Sequence, residues 1–223
     1  MKKIKNYFNY GLFIIFLIGV SVNANAMTHN KLKIPGVGGG GSSSSKVDLK
    51  GGKTELVKLF FESSNNFLEA QELLLKAYGK NQEAGQVAAA LKYAKNSNYG
   101  EADRMKNSIQ ATTEASKAVE ASINDKSIKI TAEGKALYAK AIPATGKGLL
   151  GTIKLRPKAQ QMVTGIQSNP MSAVSEIGGL AKIIPNIPSY ITTMFKTTKL
   201  IATGAKANDI KGVKDLESKL GDI

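Results

Sequence analysis

"TELVKLFFESSNNFLEAQELLLKAYG", residues 54–79, decides the fold class. Leu56, Phe60, Ser63, Phe67, Ala70, Leu74 and Ala77 recur at alternating spacings of four and three. Val57, Phe61, Leu68, Leu75 and Tyr78 widen that stripe, which winds onto one broad face of a helix and marks it as a central core element. Thr54 reads as its N-cap, and Gly79 as its stop. Glu55, Glu62 and Glu69 fall seven apart and read as a solvated outer line.

The same periodicity extends downstream. Residues 81–96 form a short alanine-rich helix, and residues 99–125 a longer one. The longer one carries Ala102, Met105, Ile109, Thr112, Ser116, Val119 and Ile123, a seam that is apolar at its ends and thin in its middle. It reads as a helix on the edge of the core, or as one completed by another chain. Residues 131–155 are helical in period, with a kink expected at Pro143, where the ring removes a backbone donor. A new helix is expected at 156–167 with Pro157 in its first turn, another at 169–184 behind Asn169-Pro170, and a last one at 186–209. No alternating run is long enough for a strand. The expected fold is all-α, an irregular bundle of six or seven helices over residues 54–209, with 210–223 as a tail.

Upstream, residues 1–26 read as a secretory signal: Lys2, Lys3 and Lys5, the apolar run "GLFIIFLIGV", and a small-residue exit at Ala24-Asn25-Ala26. A bilayer-spanning helix needs about 20 apolar residues, and this run is about half that. Cleavage after Ala26 leaves a periplasmic or secreted protein. Residues 27–53, with "GVGGGGSSSS" at 36–45, hold too few large apolar groups to fold alone and read as a Gly/Ser-rich tether. It serves as a spacer or gives the folded body reach.

Composition removes several function classes. Cysteine is absent, and His29, in the tether, is the single histidine. Nucleophilic machinery that relies on an imidazole base, and Cys/His zinc sites, therefore have no residues to use. No catalytic, cofactor or metal residue is assigned, and no enzymatic activity is expected. Three glycine-rich look-alikes fail on context: 36–41 lies in polyglycine, 146–151 lies within a helix-period segment, and "GGKT" at 51–54 has Val47 where a phosphate loop needs glycine.

Charge gives the positive signal. The formal net charge is +14, and residues 126–206 hold twelve basic groups against only Glu133 and Glu176. Such a half attracts anions through a salt-sensitive field. Only Arg104 and Arg156 among 31 basic residues are arginine, and tryptophan is absent, so the forks and stacking platforms of specific nucleic-acid readers are missing. In 189–206, Ile191, Met194, Phe195, Ile201, Ala202 and Ala205 share one helical side, and Thr192, Lys196, Lys199, Thr203 and Lys206 the other. That pattern fits a bundle helix with its core face inward, and also a helix lying in an anionic membrane surface. Lys182, Lys196, Lys199 and Lys206 are the expected contacts to an anionic membrane surface or acidic protein. An adaptor completed by helix contacts with a partner chain is the alternative.

The run from "KVDLKGGKTELVKLFFESSNNFLEAQELLLKAYGKNQEA" through "TAEGKALYAKAIPATGKGLL" resembles uncharacterised exported helical proteins of Gram-negative bacteria, over roughly residues 46–223. The resemblance implies export and a helical fold, and carries no activity onto any residue.

Overall fold

A computed structural model describes residues 47–221. Residues 1–46, which include the segment read as a secretory signal and most of that read as a tether, lie outside the described residues, as do residues 222 and 223. The elements are α1 (Leu49–Ala77), α2 (Asn81–Lys95), α3 (Glu101–Asn124), α4 (Ala132–Ser168), α5 (Pro170–Ile177), α6 (Leu180–Ile183), a 3-10 turn (Ile184–Asn186), α7 (Ile187–Ala207) and α8 (Val213–Gly221). The fold is all-α, as the periodicity requires, and among the described residues there is no strand. None of these helices is long and apolar enough to cross a membrane.

Helix α1 buries the predicted stripe, with Leu56, Phe60, Phe67, Ala70 and Leu74 fully enclosed. It starts at Leu49, inside the stretch read as tether, because Asp48 rather than Thr54 caps it: the Asp48 carboxylate accepts the Gly51 N–H at 2.8 Å. The Gly51-Gly52 pair that looked like linker lies in the first turn, and a Cβ at Gly52 would stand 2.6 Å from the Met162 sulfur of α4. At the other end Gly79 adopts φ +72° and the Lys80 N–H reaches the Leu75 carbonyl at 2.8 Å, closing the helix as a Schellman turn.

The largest departure from expectation is α4. It runs unbroken through Pro143 and Pro157, with no new helix at 156. At 37 residues it is about 55 Å long. Both prolines face solvent, so neither ring meets the core. The hydroxyls of Thr145 and Thr152 bond to the Ala141 and Gly148 carbonyls within the same helix. Such back-bonding is one way helices curve.

Helix α4 runs antiparallel to α1 along almost its whole length, in nearly constant register: Gly165 meets Leu49, Met162 meets Gly52, Gly151 meets Ser63, Gly148 meets Phe67, and Gly134 meets Ala77. A Cβ at Gly148 would lie 2.8 Å from the Phe67 ring, and one at Gly151 would lie 3.0 Å from the Ser63 backbone. Ser63 Oγ donates to the Gly148 carbonyl at 3.0 Å and pairs with the Thr152 hydroxyl at 2.8 Å.

The thin seam of α3 is closed within the chain. Ser108, Thr112, Ser116 and Ser122 are buried, and Ile109 and Ile123 are only partly so, which turns the packed face slightly from the predicted one. The buried Gln71 of α1 donates to the Thr112 carbonyl at 3.0 Å and to Ser116 Oγ at 2.8 Å. Small polar residues here let two helices approach: the hydroxyls of Thr112, Ser116 and Ser122 donate to carbonyls of α3 itself, while Ser108 Oγ and the Gln71 amide oxygen are buried without a partner among the described residues. The stretch 169–184 splits at Gly178 (φ +56°) into α5 and α6. The expected tail carries α8, whose Leu216 is 1% exposed against α4.

Two glycines separate close packing from helix propensity. Gly148→Ala should lower stability in urea unfolding by about 1–3 kcal/mol, because the buried Phe67 ring cannot give way. Gly85→Ala, at a helical position with nothing within 4 Å of its Cβ, should raise it by about 0.5–1 kcal/mol. Stabilisation by both would contradict the close-approach account.

Candidate functional site

Helix α7 behaves as a bundle helix. Ile191, Met194, Ile201, Ala202 and Ala205 are buried and Phe195 is partly buried, so its apolar face is engaged with the core. Thr192, Lys196, Lys199, Thr203 and Lys206 stay exposed along the opposite stripe.

Helix α7 is held to α4 by one buried tyrosine. Tyr138 OH donates to the Ile201 carbonyl at 2.8 Å, and a Cβ at Gly204 would lie 2.6 Å from that hydroxyl, so the contact needs glycine there. Tyr190, wholly enclosed at the start of α7, tilts against Phe60 of α1 with ring centroids 5.3 Å apart. Burial pushes both phenols well above the ordinary tyrosine value.

Between these helices, where α7 begins and α4 passes its second proline, lies an open groove of about 300 Å³. Its floor is apolar, with Ile191 buried and Phe195 half-buried, and exposed Pro188 lies at its edge. Its rim is cationic, with Arg156 on the α4 side and Lys196 and Lys199 on the α7 side. Gln160 and Thr192 add polar atoms, and no carboxylate lines it. The Thr192 hydroxyl bonds back to the Pro188 carbonyl at 3.1 Å. None of Arg156, Lys196 and Lys199 makes an ion pair among the described residues, whereas Lys158 pairs with Glu55 and Lys206 with Glu217.

Of the four lysines picked from sequence, the groove brings together two, Lys196 and Lys199. Lys206 is turned to Glu217 of α8, in the segment read as tail. Lys182, exposed on α6, is not part of the groove. Arg156 was missed, although the scarcity of arginine was itself a signal. Its counterpart Arg104 is occupied within the fold, where it sits over the Phe61 ring at 4.6 Å and donates to the Ala94 carbonyl at 3.0 Å. Lys196 also borders a second, smaller groove between α3 and α7, with Lys117 and Glu120.

Among the described residues no three carboxylate or imidazole side chains gather as a metal would require. The groove can do electrostatic and hydrophobic work: hold an anion at its rim and an apolar group on its floor. Comparison of the chain with models of known protein families, with characterised proteins and with solved structures gives no match.

The α4–α7 tie has a pH signature. The fold holds the phenols of Tyr138 and Tyr190 neutral, so their contribution is complete below the ordinary value of about 10 and is lost as pH rises above it. Stability in urea should therefore hold up to about pH 9 and fall as pH rises through about 10 and beyond. Tyr138→Phe should lower stability at neutral pH by about 1–3 kcal/mol, because the Ile201 carbonyl loses its partner, and should shallow the alkaline fall. An unchanged midpoint across that range would contradict the burial of the phenols.

Proposed function

We propose that this is an exported binding protein, periplasmic or secreted, whose α4–α7 groove engages an anionic component of the cell envelope. One observation carries the reading: three cations without carboxylate partners converge on a single groove that contains no acid. Like charges so gathered repel one another, and an anion relieves that repulsion. The charged start and apolar run of residues 1–26, and the resemblance to exported helical proteins, support the location. Contact occurs through the cationic rim with the helix still docked, since the apolar side of α7 packs in the core.

A second reading, an adaptor that binds another protein, is favoured by α5. Met171 is 84% exposed and Val174 57% exposed, three residues apart on the same helix. The closure of the α3 seam by Gln71 removes the other reason for expecting a partner chain there.

Co-sedimentation of the purified protein with anionic and neutral vesicles tests the first reading. The protein should pellet with anionic vesicles alone and release as salt rises from about 0.1 M to about 1 M, where screening contracts from about 10 Å to about 3 Å. Charge reversal of Lys196 and Lys199 together should abolish pelleting, and reversal of Lys182 should leave most of it. Equal loss from both variants would mean diffuse attraction rather than a site. Absence of pelleting, with self-association or a protein complex that salt does not disturb, would favour the adaptor.

A further inference from the structure

Resting on the groove as an anion site, we infer that its ligand is a single-chain amphiphile headed by a phosphate monoester. The two halves of the groove ask for two chemistries. Arg156 offers a planar fork of donors that matches a phosphate bidentately, and Lys196 and Lys199, one helical turn apart, add compact point charges. A monoester carries about −1.5 to −2 charge near pH 7 and so balances three cations better than a carboxylate or a diester, each with a single charge.

The floor calls for carbon. Pro188, Ile191 and Phe195 line it along α7, and a bare phosphate would leave exposed Pro188 and the open part of half-buried Phe195 without an apolar partner. At about 300 Å³ the groove stands at the small end of ligand sites. It accommodates a headgroup and the first methylenes of one chain, and is too small for two chains. Its polar atoms sit at the rim and its carbon at the base, which places the head outward over Arg156 and the chain along Ile191 and Phe195. The tie between Tyr138 and Ile201 lies farther along the same pair of helices, so the walls are set before the ligand arrives.

Titration calorimetry of the full protein decides this, with dodecyl phosphate below its micelle concentration, inorganic phosphate, dodecanoate and vesicles of diacyl phosphatidic acid as probes. Dodecyl phosphate should bind one per chain, at least about tenfold more tightly than either inorganic phosphate or dodecanoate. Phe195→Ala should bring it down towards the inorganic phosphate value, and Arg156→Gln should weaken both phosphates. Arg156 is exposed, so that variant keeps the test valid even if Phe195→Ala unfolds, which circular dichroism reports. Equal binding of dodecyl phosphate and inorganic phosphate would overturn the amphiphile and leave the anion groove standing. Equal binding of dodecanoate would overturn the phosphate head. Binding to the vesicles alone would overturn the single chain and make the groove a surface contact. Failure of every probe would overturn both this inference and the anion reading beneath it.

Discussion

The close antiparallel approach of α1 and α4 is the constraint on which the rest depends. Contacts in nearly constant register, from Leu49 with Gly165 to Ala77 with Gly134, bring the two longest helices together through small residues. A side chain at Gly148 or Gly151 would meet the Phe67 ring or the Ser63 backbone at about 3 Å or less. Such proximity leaves little space for water, and the polar groups within it must bond to one another; Ser63, Thr152 and the Gly148 carbonyl do so. With α4 fixed, the Tyr138 hydroxyl and the Gly204 gap fix α7 against it. The groove between α4 and α7 is therefore a consequence of backbone approach, not of loop arrangement.

Much of this was legible in the sequence, because a core face repeats every three or four residues whatever it packs against. The stripe of α1 and the two faces of α7 are examples. What failed was reading backbone punctuation as local. Gly51-Gly52 signalled linker, yet the second of these glycines makes room for Met162, a residue more than a hundred positions away. Pro157 signalled a helix start, yet it faces solvent on a helix that α1 supports over most of its length. In both cases a tertiary neighbour outweighed a cost of about 1–3 kcal/mol carried by the residue itself. The tail was misjudged for a related reason: Val213, Leu216 and Leu220 dock α8 at spacings of three and four, a stripe of only two turns and too short to stand out.

The candidate site was half legible. A stripe on one helix is a sequence property, so Lys196 and Lys199 were found together. Arg156 lies 40 residues upstream of Lys196, on a helix that meets α7 only in the folded chain, and no periodicity connects them. Lys206 shared the stripe, but Glu217 of α8 answers it, and only the fold could show that. The basic half of the chain is thus not uniformly available: some of its cations bridge helices, and the rim cations are left without such partners.

Side-chain NMR during titration with inorganic phosphate tests the convergence of charge most directly, since weak binding in fast exchange still reports location. The account predicts that the Arg156 guanidinium and the Lys196 and Lys199 ammonium resonances move together and saturate, while those of Lys182 and Lys206 stay nearly still. Comparable, unsaturating movement of all exposed lysines would contradict it, and would make the groove one part of a diffuse positive surface.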